Sequence, residues 1–198
     1  MIMQIKDSLY YTDKSYTIVT CNTPLCFDPR EYGVTPTPYT TACHRGYWSE
    51  YSILNDQLVL QNLFIYTNSN DYPPIANVKP GLAPQESHFP NRHHVYNDIQ
   101  LSIAYTGKIL IGSDPVPTHY IKGVCNDPWK YTALKECVFK DGNLVEIIDH
   151  SETAADIRKF IRTIPLSEPQ AGPMGTYVCF NLPLLGYLSN YPWWIELD

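Results

Sequence analysis

The sequence predicts a β-rich α+β protein with mostly antiparallel, twisted sheets and one helix in the C-terminal half, at about residues 150–164. Three observations lead to this fold class. Tyr and Pro are abundant (16 and 17 residues), and charged residues make up only 17%, below the roughly 25% of an average domain. Short runs of β-branched and aromatic residues alternate with turn formers. One segment near the C-terminus carries a helical repeat of apolar side chains.

The first half of the chain contains two predicted hairpins. Residues 7–20 read "DSLYYTDKSYTIVT", in which two Tyr/Ile/Val-rich runs flank a polar turn. Four prolines between residues 24 and 38 predict an irregular connection. The second hairpin spans residues 47–67 and turns at Asn55-Asp56-Gln57. The proline-rich segment 67–98 that follows is predicted to be a long loop, and loops of that length are commonly functional or disordered.

The second half repeats this order of hairpin, proline-bearing loop and hairpin. Residues 99–113 predict a hairpin that turns at Thr106-Gly107-Lys108. The hairpin after it turns at Asp141-Gly142-Asn143, and Asp-Gly between alternating apolar runs is a strong hairpin signal.

The two halves share a sequence fingerprint. Five positions of the second hairpin recur 86 residues later, and "YTDK" at Tyr11 recurs as "YTGK" at Tyr105, 94 residues later. The five matched positions are Tyr51, Ile53, Asn55, Leu58 and Val59 with Cys137, Phe139, Asp141, Leu144 and Val145. One interpretation is an internal repeat, 7–66 and 99–149, joined by the loop 67–98 within a single compact domain, 1–198. The other is that all hairpins resemble one another.

The region 150–198 is predicted to be a helix followed by an aromatic tail. Asp149 or Ser151 is placed as the N-cap, with Glu152 in the N3 position of a capping box for Asp149. The apolar stripe follows i, i+3, i+4, i+7 spacing and ends before Pro165. Its members are Ile157, Phe160, Ile161 and Ile164.

Charge and apolar patterning exclude several functions. The net charge is −6 and no stretch is basic, which argues against nucleic-acid binding. No apolar run reaches the roughly 18 residues of a membrane span, and the N-terminal residues lack the pattern of a signal peptide. We therefore expect a cytoplasmic protein whose six cysteines are reduced thiols.

The segment "TTACHRGYWSEYSILNDQLVL" places Cys43, His44 and Arg45 side by side before a predicted strand. A catalytic interpretation makes Cys43 a nucleophile, assisted by Arg45 and by a base such as His93 or His94. A structural interpretation buries Cys43 and pairs Arg45 with a carboxylate or with backbone carbonyls at the start of the strand. Neighbouring strand residues point to opposite faces, which favours the structural interpretation.

A second polar cluster lies in residues 86–98 and contains His88, Arg92, His93 and His94. It is interpreted either as a ligand or partner contact or as a solvated linker. The adjacent pair His93-His94 would diverge on a strand, and no cysteine or histidine pair has standard zinc-ligand spacing. No phosphate-binding, dinucleotide-binding or nucleophile-elbow motif is present, so no metal or cofactor is predicted.

These observations predict a small interaction protein without chemistry of its own, of the kind found among immunity proteins, antitoxins and phage-defence or counter-defence factors. The expected partner is another protein or a second copy, and a small ligand could bind between the halves. The expected contact residues are His88, Arg92, His93, His94, Tyr47, Trp48, Trp193 and Trp194. The alternative is a small hydrolase or transferase that uses Cys43 or a histidine of the 88–94 loop.

Overall fold

The computed structural model describes residues 5–24, 27–69, 72–82, 93–116 and 127–163, with side chains described up to Lys159. Within these residues the chain forms ten strands and a 13-residue helix, so the β-rich α+β class is confirmed. The elements are β1 (Ser8–Tyr11), β2 (Lys14–Cys21), β3 (Tyr47–Leu54), β4 (Gln57–Ile65), β5 (Gly81–Leu82), β6 (His94–Tyr96), β7 (Leu101–Ser102), β8 (Gly107–Pro115), β9 (Tyr131–Lys140), β10 (Asn143–Asp149) and α1 (Ser151–Thr163).

All ten strands belong to one sheet of mixed, mostly antiparallel pairing. The strand order is β10-β9-β8-β2-β1-β3-β4-β6-β5, with β7 paired to β4. The parallel pair is β1 with β3, in which Leu9 lies opposite Tyr51. The sheet curls until Asn143 of β10 pairs with Gln57 of β4, so seven strands form a closed circuit.

Three two-residue turns join consecutive antiparallel strands, and each lies where the sequence predicts a hairpin turn. Both central residues of each turn have positive φ, as a type I′ hairpin turn requires, and Asn, Asp and Gly tolerate that backbone best. The central pairs are Thr12–Asp13, Asn55–Asp56 and Asp141–Gly142. Local residue chemistry therefore favours the turns at Asn55–Asp56 and Asp141–Gly142, whereas the β-branched Thr12 adopts positive φ against its own preference.

The two matched hairpins meet at their tips in a reciprocal way. Leu58 donates its backbone N–H to the carbonyl of Gly142 at 2.8 Å, and Leu144 donates to the carbonyl of Asp56 at 2.6 Å. Leu144 is the counterpart of Leu58 at the 86-residue separation, and Gly142 is the counterpart of Asp56. A local two-fold axis therefore relates the two tips.

Strands β2 and β8 meet with a similar local symmetry. Thr17 pairs with Gly112 and Ile18 pairs with Ile111. At the 94-residue separation, Ile111 is the counterpart of Thr17 and Gly112 is the counterpart of Ile18, so each residue pairs with the counterpart of its neighbour. Strands β1–β4 contact strands β8–β10 of the closed circuit at two places, β2 with β8 and β4 with β10. The two matched sequence segments lie at these two contacts.

The complete repeat is nevertheless not confirmed, and the predicted hairpin at 99–113 is wrong. Strand β7 pairs with β4 instead of β8. In the first half β1 lies between β2 and β3, whereas their counterparts in the second half, β8 and β9, are direct neighbours. Asp98 and Gln100 have positive φ, and Ile103 donates its N–H to the Leu58 carbonyl at 2.9 Å. These backbone turns and bonds direct the segment along β4.

The predicted loop 67–98 contributes to the sheet. Strand β6 extends it beside β4, with Val95 opposite Phe64, and β5 pairs with β6. A tight turn at Ala76–Asn77 joins the bridged residues Ile75 and Val78. The described part of the segment therefore contains two short strands and a tight turn where a single long loop was predicted.

Helix α1 covers the sheet face that is formed by β2, β8 and β9. Ala154 and Ile157 are buried against a small apolar cluster that contains Val19, Leu110 and Leu134. Just before its first residue, the Asp149 carboxylate accepts the Ser151 N–H at 2.9 Å, and the His150 carbonyl accepts the Ala154 N–H at 2.9 Å, so His150 occupies the N-cap position that was predicted for Asp149 or Ser151. Phe160, Ile161, Ile164 and Pro165 of the predicted stripe and stop lie outside the described side chains. No helix in the described part of the chain combines the length and the apolar character needed to cross a membrane.

Candidate functional site

Cys43-His44-Arg45 forms a tight corner that leads into β3. Cys43 bridges back to Thr40, and Gly46 donates its N–H to the Cys43 carbonyl at 3.2 Å. Gly46 has φ +75°, and a Cβ there would overlap the backbone of Thr37. Only glycine fits such a position without strain, so the corner is specified by the residue that follows the triplet.

Arg45 is anchored by a bidentate ion pair with Asp7. Its Nη2 and Nη1 atoms lie 2.7 and 3.1 Å from Asp7 Oδ1 and Oδ2. Asp7 Oδ1 also accepts the backbone N–H of Ser49 at 2.8 Å. The guanidinium carbon of Arg45 stands 4.7 Å from the ring centre of Tyr47. The pair therefore connects the approach to β1 with the start of β3, as expected of a structural corner.

A cleft of about 420 Å³ opens beside this ion pair. Two cationic side chains, one carboxylate and several apolar and aromatic side chains line it. The charged and aromatic lining residues are Lys6, Asp7, Phe27, Arg45, Tyr47 and Tyr51. We call it the Arg45 cleft. Its volume lies within the range of about 300–1,000 Å³ that is typical of ligand pockets.

The thiol of Cys43 is poorly placed for nucleophilic chemistry. The residue is 3% exposed, and its Sγ lies 3.9 Å from the carbonyl oxygen of Tyr47, which accepts the S–H. Burial raises the pKa of Cys43, and it raises the pKa of Cys21, which lines the Arg45 cleft, to about 12. Because the thiolate is the reactive form, both thiols are held in their unreactive state at neutral pH.

His93 belongs to an aromatic cluster on the sheet face opposite the main core. It is fully buried, and its ring centre lies 4.7 Å from that of Tyr39 and 5.2 Å from that of Trp48. Trp48 in turn stacks on Phe64 at 4.8 Å with an interplanar angle of 4°. His93 and Trp48 therefore pack against the corner segment and offer little surface to a partner.

His94 lies on the other side of β6. Its ring stacks on Tyr72 at 3.7 Å, and burial lowers its pKa, which keeps the imidazole neutral at neutral pH. Tyr72 packs against the main core. The structure therefore separates the two adjacent histidines, as strand alternation requires.

Among the predicted site residues, Arg45 and Tyr47 come together at the cleft, and Trp48 and His93 come together in the aromatic cluster. His88, Arg92, Trp193 and Trp194 lie outside the described residues. Lys6, Asp7 and Phe27 were not among the predicted site residues. Asp7 is 38 residues from Arg45, and only the parallel pairing of β1 with β3 brings them together, so no local signal marks Asp7.

A second group of charges that the sequence analysis missed lies at the start of α1. The buried carboxylate of Glu136 is 2.8 Å from Lys108 Nζ and 3.3 Å from His150 Nε2. These contacts connect β8, β9 and the residue before α1. In the described ranges, no group of three or more His, Cys, Asp or Glu side chains could hold a metal ion.

Comparison with known proteins provides no relative from which a function could be inferred. No family model matches the chain, and neither the curated proteins nor the solved structures contain a match. The Arg45 cleft must therefore be interpreted from its own chemistry.

Proposed function

We propose that this chain is a cytoplasmic binding protein without catalysis of its own, and that a partner protein contacts it at the Arg45 cleft. The observation that carries the proposal is the cleft itself, with a half-exposed guanidinium fixed by Asp7 over the Tyr47 ring. Arg and Tyr dominate the energetically important centres of protein interfaces. Binding a partner without catalysis is the mode of action expected of an immunity protein, an antitoxin or a phage-defence or counter-defence factor.

The alternative, a hydrolase or transferase, has less support. Its nucleophile would be Cys43, whose thiol is buried and has a raised pKa. Its base would be His93 or His94, which pack in different aromatic surroundings. The described cysteines Cys21, Cys43 and Cys137 are free thiols, which fits the proposed reducing compartment.

The test is affinity capture with matched variants. Tagged wild-type protein, Arg45→Ala and Lys159→Ala are incubated with native lysate, and captured proteins are identified by mass spectrometry. Lys159 is exposed and pairs with Asp156 three residues earlier on α1, so its variant controls for the loss of a surface cation. A Cys43→Ser variant is included to separate binding from thiol chemistry.

We expect one protein, or a second copy of this chain, to be captured by the wild type, Lys159→Ala and Cys43→Ser but not by Arg45→Ala. Equal capture by Arg45→Ala would show that the cleft is not the contact site. Hydrolysis or group transfer that disappears in Cys43→Ser would overturn the proposal in favour of an enzyme.

A further inference from the structure

We infer that the Arg45 cleft recognises a carboxylate group that is carried on an apolar body. This inference rests on the proposed function, because it specifies the chemistry of the group that a partner presents to the same cleft. The lining of the cleft has two features that select such a group: an excess of one positive charge and a set of apolar and aromatic side chains.

Asp7 competes little for a cationic group because three N–H donors already contact its carboxylate. It receives two N–H groups from Arg45 and one from the Ser49 backbone, and its side chain is only 11% exposed. Three N–H donors on one part-buried carboxylate hold that carboxylate in place. Asp7 therefore acts as a support for Arg45.

Arg45 retains hydrogen-bond donors for an incoming acceptor. A guanidinium has five N–H groups in a planar fork, and the ion pair with Asp7 uses two of them. Its side chain is 46% exposed. Because Asp7 and the Tyr47 ring fix the plane of the guanidinium, little side-chain entropy remains to be lost when an acceptor binds.

The charge balance of the lining selects an anion. Lys6 and Arg45 are the cations of the lining and Asp7 is its single carboxylate, so the lining carries one net positive charge in a chain whose net charge is −6. The Lys6 ammonium is held at the cleft by a 3.3 Å hydrogen bond to the Val19 carbonyl. Asp28 and Arg30, which both act on Tyr47, form an ion pair with each other at 2.9 Å and leave this balance unchanged. A negative group is therefore attracted where most of the protein surface repels it.

The remaining wall accepts an apolar body. Phe27, Tyr51 and the aliphatic side chains of the lining form a surface next to the cations. Tyr51 is 3% exposed and belongs to the main core, so this wall is rigid. A flat or branched hydrocarbon that ends in a carboxylate satisfies both sides of the cleft at once.

The experiment uses 3-phenylpropanoate as the probe and its neutral amide, 3-phenylpropanamide, as the matched control. Each is titrated into ¹⁵N-labelled full-length protein, and the resonances of the Arg45 side-chain N–H and the Ser49 amide are followed. Wild type, Arg45→Gln, Lys6→Gln and Lys159→Ala are compared. Lys6→Gln leaves the Asp7–Arg45 pair intact, so it remains informative if Arg45→Gln destabilises the fold.

We expect saturable shifts with the carboxylate and at least about tenfold weaker binding of the amide, because the charge-assisted hydrogen bond is lost. We expect a similar loss in Arg45→Gln, a loss of about threefold in Lys6→Gln from weaker charge attraction, and no change in Lys159→Ala. Equal affinity for the carboxylate and the amide, or no saturable shift with either, would overturn the inference.

A competition experiment separates this inference from the proposed function. 3-Phenylpropanoate is added to the affinity capture described above. If the probe prevents capture of the partner, the result supports both the carboxylate inference and the partner-binding function. Arg45-dependent capture that the probe leaves unaffected would overturn the carboxylate inference while the partner-binding function stands. Probe binding without any capture would overturn the protein-partner function and assign the cleft to a small organic acid.

Discussion

Gln57 and Asn143 pair across the closing contact of the sheet, at the tips of two hairpins whose sequences match at a separation of 86 residues. Gly142, beside Asn143, donates its N–H to Tyr105 and accepts the N–H of Leu58, both at 2.8 Å. This contact joins the first and second parts of the closed circuit, so the stability of the fold depends on the backbone geometry of the turn.

Gly142→Ala is expected to destabilise the protein by about 2–4 kcal/mol. Gly142 has φ +81°, and an added Cβ would overlap the carbonyl oxygen of Ile103. A strained backbone and a backbone clash both contribute to the loss. Urea unfolding followed by circular dichroism measures it. Gly81→Ala is the control, because a Cβ at Gly81 meets nothing within 4 Å. Equal midpoints for the two variants would contradict the closing role of this turn.

Asp7→Asn is expected to lower the free energy of unfolding by about 1–2 kcal/mol. The substitution keeps an oxygen for the Ser49 N–H and removes the charge that holds Arg45, whose 46% exposure limits the loss. Thermal and urea unfolding measure this change. Lys159→Ala breaks an exposed ion pair and should leave stability unchanged. A stability equal to the wild type would show that the Asp7–Arg45 pair does not contribute to the fold.

The native thiols should resist alkylation. Burial raises the pKa of Cys21 and Cys137 from 9.0 to about 12, so their thiolate fraction at pH 8 falls by about 10³-fold; the pKa of Cys43 is also raised. We expect iodoacetamide to modify these residues at least about 100-fold more slowly in the native protein than in urea. Site-resolved mass spectrometry measures each rate. Rapid native alkylation of Cys43 would restore the catalytic interpretation.

The contacts of Asp149 at the start of α1 should raise the free energy of unfolding at neutral pH, and this contribution should be lost in acid. Hydrogen bonds from Lys135 and Ser151 lower the pKa of Asp149 from 3.8 to about 2. Because the folded-state pKa lies below the unfolded value, the stabilisation is present above pH 4 and declines as pH falls toward 2. Asp149 is 54% exposed, which screens the interaction to about 1 kcal/mol.

Asp149→Asn isolates this charge, because Asn keeps a side-chain oxygen that can accept the Ser151 N–H. Its free energy of unfolding should lie about 1 kcal/mol below that of the wild type at pH 6, and the two values should converge near pH 2. Urea unfolding at pH 6, 4 and 2.5 measures the difference. A constant difference across this range would show that the charge of Asp149 is not its cause.

The predictable features of the fold are those that depend on neighbouring residues. Asn55-Asp56 and Asp141-Gly142 occupy turns of the predicted type, because positive φ is a property of the residues at the turn itself. The start of α1 was similarly predictable, since the Asp149 carboxylate accepts a backbone N–H only two residues away. The class of the protein follows from these local signals.

The candidate site was only half predictable. Arg45 and Tyr47 are two residues apart, and the pairing of Arg45 with a carboxylate or with backbone carbonyls belonged to one of two interpretations of the corner. The carboxylate itself belongs to Asp7, and Lys6 and Phe27 complete the cleft from other parts of the chain. The failed hairpin at 99–113 has a similar cause, because bonds from Ile99 to Gln61 and from Ile103 to Leu58 draw that segment to β4.

The sequence by itself determined the strands β1 to β4, β9 and β10, the three turns between them and the start of the helix, because alternation, φ preferences and side-chain bonds to nearby backbone act over a few residues. The tertiary structure decided what Cys43-His44-Arg45 is. It buried the thiol, turned His93 and His94 to opposite sides of β6, and set Arg45 against Asp7 at the mouth of a cleft. The physical reason is that burial and long-range charge pairing depend on the parallel contact of β1 with β3, which brings together residues about 40 positions apart.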